Sequence, residues 1–273
     1  MRDKLTSMTD AIAVVADNQT IALGGNTLHR GPSAAAHELI RQGRRGLEIV
    51  KTAGAYDVDL LCGMGVASSV SAGFIGFETA YGLAPSYRRG VERGTVEARE
   101  HACYTVIAGL RAAIQGIPFM PVAGMTGSDV PAARGFRSVV DPYSGRSVVA
   151  APAIMPDVAI IHVQESDRQG NARIIGTRFE DVLMAQAARR VIITAERIVD
   201  GATFEAMPEV VAIPGFMVEM VVEAPRGAWP CSCAGAYEQD DAFLAEYVAA
   251  SQDADRLHAF VRDHVLTHDP VSV

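Results

Sequence analysis

The sequence has little that would mark a secreted, membrane-spanning or disulfide-rich protein. Its 273 residues include only four cysteines, and no run approaches the roughly 20 uninterrupted apolar residues of a membrane helix. Cys231 and Cys233 are close in sequence, but a disulfide between residues two apart is geometrically awkward. Asp10 and Asp17 interrupt the N-terminal segment where a signal peptide would be continuously apolar. We therefore expect reduced thiols and a soluble, cytoplasmic protein.

Basic charge is also scarce. Lys and Arg number 24 against 32 Asp and Glu, which gives a net charge of −8. Such an acidic balance is a poor match for nucleic acid or for an anionic membrane, so we expect neither as a partner. Hydrophobic residues are abundant, at 49% of the chain, and the mean hydropathy is +0.16. The chain therefore either buries an unusually large fraction of itself or covers apolar surface with a partner.

Short apolar, β-rich runs alternate along the chain with alanine-rich helical runs. The predicted strands cover residues 20–23, 47–51, 69–74, 138–140, 158–162, 191–195 and 210–213. The predicted helices cover residues 8–16, 33–42, 97–115, 178–188 and 240–250. This alternation favours an α/β fold with an open, largely parallel sheet flanked by helices. We expect one domain over residues 1–273, with a helical C-terminal extension over about 238–273.

A glycine-rich junction lies between the first predicted strand and the next helix. Residues 23–32 read LGGNTLHRGP, and their glycines would let backbone N–H groups approach a ligand oxygen or phosphate. The segment is not a GxGxxG fingerprint, and it lacks the GK[ST] ending of a P-loop. A tight strand–helix turn with Pro32 at the first helical position explains it equally well. Both interpretations stay open at this point.

Two further loops carry polar residues beside predicted strands. Residues 116–129 contain two prolines and three glycines, which is typical of a stiff wall or interface. Asp129 in that loop is either a general base or a turn residue. Residues 165–171 follow a predicted strand, either as part of a ligand site at its carboxyl end or as a simple polar turn. We expect His162, on that strand, to be a hydrogen-bonded core residue.

Familiar nucleophile and metal-binding motifs are missing from the sequence. It contains neither the GxSxG elbow nor the HExxH zinc motif. The Cys-Ser-Cys run at 231–233 lacks a second Cys/His pair nearby, which makes it a poor zinc site. His264 and His268 could share a helical face and bind a metal, although Pro270 favours a solvated end. The residues alone thus indicate a ligand-cradling backbone, with no metal site and no evident nucleophile.

Taken in order, these segments resemble the first (A, or alpha) subunit of family I coenzyme A transferases, in particular the glutaconate type. The most specific match is residues 116–129, GIPFMPVAGMTGSD, which follow Gly94-Thr-Val-Glu97 and a long predicted helix. The other matching segments are the loop at 24–32, DVAIIHVQESDRQGN at 157–171, AERIVD at 195–200 and GAWPCSCAG at 227–235. The resemblance spans roughly residues 5–250.

The resemblance implies an open α/β sheet of the kind shared by coenzyme A transferases and sugar-phosphate isomerases. It also implies a second, similarly folded B (beta) subunit, commonly in an A2B2 heterotetramer, which would explain the high hydropathy. The family reaction transfers coenzyme A from an acyl-CoA to a carboxylic acid through a glutamyl-CoA thioester. That glutamate belongs to the B subunit, so none is assigned in this chain. The CoA thioester is a substrate, and no permanently bound cofactor is implied.

For this chain, the resemblance implies stabilisation of an oxyanion and binding of the acid substrate. The oxyanion candidates are the backbone groups of Gly24, Gly25 and Asn26, where one donor contributes about 3–4 kcal/mol. Many relatives carry an aromatic residue where this chain has Asn26, so we expect a more polar acyl pocket. Specificity is expected near residues 26–30, 68–77 and 125–129. The substrate-binding candidates are Arg30 as a carboxylate clamp, Ser68, Ser128 and Asp129.

Two alternatives stay open. Bacterial steroid-degrading hydrolases resemble the same pairing of two chains but open a ring on a CoA thioester with water. They share a GxxEARE run, which is residues 94–100 here, and its Glu97 and Glu100 are candidate general bases. This chain has Cys103 one turn later, so a further catalytic acid at that position would be missing. The other alternative is a non-catalytic relative that kept the fold.

Overall fold

A parallel β-sheet forms the centre of the computed structural model, which describes residues 2–125 and 127–267. The strands are β1 (Thr20–Leu23), β2 (Leu47–Gly54), β3 (Ala67–Ile75), β4 (Glu97–Glu100), β5 (Phe119–Val122), β6 (Arg137–Val140), β7 (Ser147–Pro152), β8 (Val158–Ser166), β9 (Ala172–Arg173), β10 (Arg190–Ile198) and β11 (Met220–Glu223). The helices are α1 (Met8–Ala13), α2 (Ser33–Arg41), α3 (Tyr56–Gly63), α4 (Glu78–Tyr81), α5 (Pro85–Glu92), α6 (Cys103–Ile114), α7 (Val130–Ala133), α8 (Asp181–Ala187), α9 (Gly201–Ala206), α10 (Asp241–Ser251) and α11 (Ala254–Val261). Within the described residues, seven strands follow the order β11-β10-β8-β1-β2-β3-β4, each parallel to its neighbours.

Two apolar layers cover this sheet. Ile49 and Val50 of β2 point to opposite faces, as the alternation of a strand requires. Ile49 packs with α1, α2 and α3, whereas Val50 packs with α6 and α8. Every residue of β8 is buried, so this strand is covered on both faces, as its apolar sequence predicts. The open, largely parallel α/β sheet predicted from the sequence is confirmed.

The chain changes its direction of travel across the sheet at β1. It adds β2, β3 and β4 on one side of β1, whereas β8, β10 and β11 lie on the other side. Such a reversal leaves a crevice outside the carboxyl ends of the two strands that flank it, here β1 and β8. The glycine-rich loop that follows Leu23 therefore starts where an open α/β sheet tends to bind its ligand.

A second, antiparallel sheet with the order β5-β7-β6 packs beside α6. Val122, Val149 and Ala151 of this sheet form a small core with Ala108 of α6. The loop expected over residues 116–129 thus contains a strand, β5, and a 3-10 turn at Ala123–Met125. Thr126 of the same motif lies outside the described residues.

The helix predicted over residues 97–115 is two separate elements. Residues 97–100 form the edge strand β4, which pairs with β3, and α6 begins only at Cys103. The run EARE has no apolar repeat, and an edge strand accepts such charged residues. The helical repeat starts with Val106 and Leu110, which are fully buried. The acidic residues therefore lie in a strand and not in the first turn of a helix.

The strand predicted over residues 210–213 is also wrong. Pro208–Val210 forms a 3-10 turn, and Ile213 makes only an isolated bridge to Ala172. Pro214 follows immediately and has no N–H with which to continue a ladder. The edge strand on this side of the sheet is β11, which pairs with β10.

The C-terminal helices α10 and α11 pack against the first half of the chain. Tyr247 of α10 meets Tyr56 of α3 edge to face, with ring centroids 4.7 Å apart. The rings of His264 and Phe260 have centroids 4.4 Å apart, so His264 packs on this aromatic layer while its side chain stays 35% exposed. His268, its expected partner in a metal site, lies outside the described residues. Within residues 2–125 and 127–267, no helix combines the length and apolarity needed to cross a bilayer.

Candidate functional site

The loop after β1 turns back tightly on itself. Asn26 and His29 exchange two backbone hydrogen bonds of 2.9 and 2.8 Å, while Thr27 and Arg30 have φ of 43° and 56°. Gly25 has φ of 71°, and a Cβ there would lie 2.4 Å from two carbonyl oxygens of the loop. Glycine is therefore required at this position. Left-handed backbone at non-glycine residues is strained, and such strain clusters at ligand sites.

The backbone N–H groups of Gly24, Gly25 and Asn26 already have acceptors within the chain. The N–H of Gly24 donates to the carbonyl of Ile160 over 2.9 Å, and that of Gly25 donates to Oδ1 of Asp181 over 2.8 Å. The N–H of Asn26 is used in the turn described above. The structure therefore does not support the oxyanion role expected for the backbone of Gly24, Gly25 and Asn26. A catalytic role for these three residues stays a prediction.

A buried ion pair holds the loop in place. Nη2 of Arg30 lies 2.7 Å from Oδ2 of Asp181, and the two side chains are 3% and 0% exposed. Nη1 of Arg30 donates to the carbonyl of His162 over 2.7 Å. The structure does not support the expected carboxylate clamp, because the Arg30 guanidinium is already neutralised inside the protein. The sequence misses Asp181, whose only signal is an acidic residue at the start of a helix, which is common in any protein.

Four polar side chains meet at the carboxyl ends of β1 and β2, and we call Asn26, Thr52, Cys103 and Glu180 the edge cluster. Oγ1 of Thr52 donates to Oε2 of Glu180 over 2.5 Å. Nδ2 of Asn26 donates to the same Oγ1 over 3.4 Å. Sγ of Cys103 lies 3.5 Å from the carbonyl oxygen of Thr52. The cluster thus places an amide, a hydroxyl, a carboxylate and a thiol beside the crevice.

The sheet brings together residues that are far apart in sequence. Thr52 lies near the end of β2, and Glu180 immediately precedes α8, 128 residues later. Phe179, before Glu180, has a strained φ of 45°. The sequence indicates Asn26 as a site candidate and Cys103 only as the position of a missing catalytic acid, and it misses Thr52 and Glu180. Thr52 directly follows a predicted strand, which is a usable signal, whereas nothing in the sequence connects Glu180 with β2.

Cys103 is an exposed thiol at the start of α6. Partial burial and the negative charge of Glu180 raise the pKa of this thiol. A thiol with a raised pKa stays protonated at neutral pH and is not an activated nucleophile. The backbone of Gly73 lies against it, since a Cβ at Gly73 would be 2.4 Å from the amide nitrogen of Cys103. Gly73 thus allows α6 to begin directly against the carboxyl end of β3.

Glu97 and Glu100, the expected bases of a hydrolase, lie on the edge strand β4. The Glu97 side chain is 60% exposed, and its Oε2 lies 3.0 Å from Nε of Arg99. Glu100 is also exposed and points to the opposite face of the strand. Among the described residues, the structure brings neither glutamate to the edge cluster.

The remaining substrate-binding candidates make no described side-chain bond to the edge cluster. Ser68 is exposed near the amino end of β3, whereas the edge cluster lies at the carboxyl ends of the strands. Oγ of Ser128 accepts a hydrogen bond from the N–H of Val130 over 3.2 Å, and Asp129 is exposed just before the short helix α7. These contacts are those of a polar turn and do not support a substrate role.

A cavity of about 300 Å³ opens beside the loop. Its walls include His29, Phe179 and Ser232. Nδ1 of His29 lies 2.8 Å from Oγ of Ser232, and the N–H of Ser232 donates to the carbonyl of Leu28 over 2.9 Å. The Cys-Ser-Cys run, which the sequence marks as a poor zinc site, therefore forms part of the wall of this site.

His162 is a hydrogen-bonded core residue, as predicted. Its Nδ1 lies 2.9 Å from Oγ1 of Thr194, and its Nε2 lies 2.7 Å from Oε1 of Glu196. The hydroxyl of Tyr237 donates to the same Oε1 over 2.6 Å. Ligand atoms of His162, Glu196 and Cys233 lie within 4.8 Å of one another, and burial raises the pKa of the Cys233 thiol to about 12. Because the imidazole nitrogens are both engaged and the thiol is protonated, we interpret this group as structural.

Large apolar side chains are exposed around the edge cluster, and we call Phe74, Leu83 and Tyr104 the apolar rim. They are 44%, 61% and 53% exposed. Phe74 lies at the carboxyl end of β3, Leu83 forms a bridge with Gly76 just beyond it, and Tyr104 follows Cys103. Exposed apolar groups clustered beside a polar site are typical of a surface that binds a partner.

The chain is similar to named enzyme subunits over nearly its whole length. It is 33% identical to the A subunit of glutaconate CoA-transferase from Acidaminococcus fermentans, over 96% of this chain and 88% of that protein. It is 32% identical to the cholesterol ring-cleaving hydrolase IpdA subunit of Mycobacterium tuberculosis, over 97% of this chain and 94% of that protein. An uncharacterized protein of Archaeoglobus fulgidus is 34% identical over 97% of this chain, which spans 60% of that protein's length.

Solved structures agree with these sequence relatives. The crystal structure of glutaconate coenzyme A-transferase from Acidaminococcus fermentans matches with a TM-score of 0.93 at 32% identity, covering 98% of this chain and 90% of that chain. The decarboxylase AibA/AibB matches with a TM-score of 0.85 at 33% identity, covering 96% of this chain and 100% of that chain. A family model described as Coenzyme A transferase matches residues 5–224. The resemblance stated from the sequence is confirmed: the chain belongs to the coenzyme A transferase family.

Proposed function

We propose that this chain is the A subunit of a two-subunit coenzyme A transferase. The enzyme moves coenzyme A from an acyl-CoA to a small carboxylic or dicarboxylic acid. The position of the edge cluster supports this most directly, because the cluster lies beside the apolar rim. A partner that covered Phe74 and Tyr104 would place its own residues against Cys103 and Asn26. The relatives named as A subunits of CoA-transferases are consistent with that partner being a B subunit.

The reaction needs a carboxylate nucleophile, which we place on the partner as a glutamate. That carboxylate attacks the thioester carbonyl of the acyl-CoA, and the C–S bond breaks to give an acyl-glutamyl anhydride and the thiolate of coenzyme A. The thiolate attacks the glutamyl carbonyl, which releases the donor acid and leaves a glutamyl-CoA thioester. An acceptor carboxylate then reverses both steps. The CoA thioester is a substrate, and the scheme uses no permanently bound cofactor.

The groups of this chain suit a supporting role. The Cys103 thiol has a raised pKa and is not activated for attack. Each attack creates an oxyanion, and the amide of Asn26 is our candidate donor to it, at about 3–4 kcal/mol for one such donor. The Arg30–Asp181 pair holds the loop that carries Asn26, so this donor is positioned before the substrate arrives.

The covalent intermediate provides the test. The chain is co-expressed with the protein of the neighbouring reading frame, incubated with a panel of acyl-CoAs without acceptor, and reduced with borohydride before the intact mass of each subunit is measured. We expect a mass change on the partner that maps to one glutamate, and none without acyl-CoA. A mass change on this chain instead, at Cys103 or Glu180, would contradict the division of roles.

Hydrolysis of a CoA thioester with ring opening is the second candidate, because a hydrolase subunit is a relative at 32% identity. We place it second because Glu97 and Glu100 lie on the edge strand, outside the edge cluster. Release of free coenzyme A with neither subunit modified would favour the hydrolase. Under the transferase proposal, replacing both glutamates with Gln leaves the transfer rate unchanged.

We further propose an A2B2 assembly in the cytoplasm. An apolar rim on each copy of this chain gives each copy its own site for a B subunit. The native mass of the copurified complex tests this stoichiometry, and fractionation of the source cells tests the location. A complex with unequal numbers of the two chains would contradict the assembly.

A further inference from the structure

The carboxylate of Glu180 is half-buried in the edge cluster and incompletely satisfied. Its Oε2 accepts the hydrogen bond from Thr52, whereas among the described residues its Oε1 has no donor and the carboxylate has no ion-pair partner. A carboxylate shielded from water is costly unless donors surround it. The free oxygen of Glu180 is therefore an acceptor that a bound ligand can fill.

Two side-chain hydrogen bonds of the edge cluster run toward Glu180. Nδ2 of Asn26 donates to Oγ1 of Thr52, and the Thr52 hydroxyl uses its single proton on Glu180. The chain of bonds thus ends at the carboxylate. The open atom at the end of this chain of bonds is Oε1 of Glu180, which accepts a hydrogen bond and, as part of a carboxylate, cannot donate one.

The cation beside the cluster does not offset this charge. Arg30 is bonded to Asp181 and to the carbonyl of His162, and its side chain is 3% exposed. The His29 ring is bonded to Ser232 on the wall of the neighbouring cavity. Arg178, two residues before Glu180 in the sequence, is exposed. A second carboxylate on a substrate would meet Glu180 without a buried counter-charge.

From this geometry we infer that the edge cluster selects acyl groups that carry a hydrogen-bond donor, a hydroxyl or an amino group, over acyl groups that carry a second carboxylate. The inference rests on the proposed function and narrows its substrate class. Glu180 accepts a hydrogen bond from the hydroxyl or amino group of the acyl chain. Thr52 is a positioning residue that orients Glu180. This hydrogen bond to the Glu180 carboxylate is charge-assisted, and its loss lowers kcat/KM by about 10- to 100-fold.

The test compares acyl-CoAs of one chain length, either unsubstituted or bearing a hydroxyl, an amino or a carboxyl group, on the complex with its B subunit. We expect kcat/KM for the hydroxylated or the aminated acyl-CoA to exceed that for the carboxylated acyl-CoA by about 10-fold or more. Comparison of the hydroxylated with the aminated acyl-CoA shows which of these two groups the site prefers. Glu180→Gln removes the preference over the carboxylated acyl-CoA, so that the ratio of kcat/KM between the hydroxylated and the carboxylated acyl-CoA falls toward 1. Glu209→Gln, at an exposed acid that makes no described side-chain bond, is the matched control and retains the preference.

Thr52→Val is a second test of the role of Glu180. It removes the hydroxyl that orients Glu180 and nearly keeps the volume of the side chain. It lowers the preference less than Glu180→Gln does. A preference for the carboxylated acyl-CoA that is lost in Arg178→Gln would overturn the inference. The transferase proposal would still stand. If no acyl-CoA turns over, the proposed function fails. The dissociation constants of the same four acyl-CoAs for the complex then decide the inference, which fails if the carboxylated one binds best.

Discussion

At the scale of single residues, the pair formed by Arg30 and Asp181 does the most to position the site. Asp181 accepts the N–H of Gly25 with one oxygen and the guanidinium of Arg30 with the other. We expect Asp181→Asn to lower the free energy of unfolding by about 3–5 kcal/mol, because it leaves a buried charge without its partner. Urea unfolding of the variant measures this loss.

The surface pair of Arg88 and Glu92 is the matched control. Both side chains are more than half exposed, and Nε of Arg88 lies 2.7 Å from Oε1 of Glu92. Glu92→Gln is expected to be nearly neutral because water screens this pair. Equal losses in the two variants would show that burial does not set the value of the Arg30–Asp181 pair.

His37 gives the fold a dependence on acid. Burial and the nearby charge of Arg41 lower the pKa of His37 from 6.5 to about 3. Between these pH values the unfolded chain binds a proton that the folded chain does not, so stability falls as the pH falls. This amounts to about 3 kcal/mol between pH 8 and pH 4. We expect His37→Gln to remove that part of the difference, measured by urea unfolding at the two pH values.

Asp59 acts in the opposite direction and serves as the comparison. Burial raises the pKa of its carboxyl to about 6. The folded chain therefore holds a proton that the unfolded chain has lost between pH 3.8 and 6, and this contribution to stability is lost as the pH rises. Asp59→Asn should steepen the acid loss of stability. The same pH dependence in the wild type, His37→Gln and Asp59→Asn would contradict both assignments.

At the scale of elements, the site depends on how closely α6 approaches β3. A Cβ at Gly73 would lie 2.4 Å from the amide nitrogen and 2.7 Å from Sγ of Cys103. Gly73→Ala should shift the start of α6 and lower the free energy of unfolding by about 1–3 kcal/mol, together with the transfer rate. Gly124→Ala is the control, because nothing lies within 4 Å of a Cβ there. Equal effects of the two variants on unfolding and turnover would contradict this explanation.

Elements with a continuous apolar pattern could be predicted from the sequence, and those stabilised by distant partners could not. The buried strands β8 and β10 and the helix α2 follow from their own residues. The helix α3 could not be predicted because it carries Asp57 and Asp59, which are buried only because Lys51 and Tyr247 bond to them. Glu180 could not be predicted for the same reason, since only the fold brings it to Thr52.

At the scale of the whole molecule, the apolar rim is the face that we propose binds the partner. Leu83 is 61% exposed beside the edge cluster, whereas Phe216 is 76% exposed in the turn that leads to β11. We expect Leu83→Asp to weaken binding of the B subunit by at least about 30-fold, as for a central apolar interface residue. Phe216→Asp should leave the affinity unchanged. Isothermal titration of the two subunits measures both, and a weaker complex with Phe216→Asp alone would place the interface elsewhere.

The bond between the first loop and the Cys-Ser-Cys run has a consequence for synthesis. His29 and Ser232 are 203 residues apart, and the backbone of Ser232 also pairs with Leu28 and Arg30. A chain emerging from the ribosome can assemble β1, β2 and β3 early, but the loop after β1 lacks its partner until Ser232 has been made. A product truncated before Ser232 therefore displays much of the sheet without the finished candidate site, so that the site is complete only after the Cys-Ser-Cys run has been made.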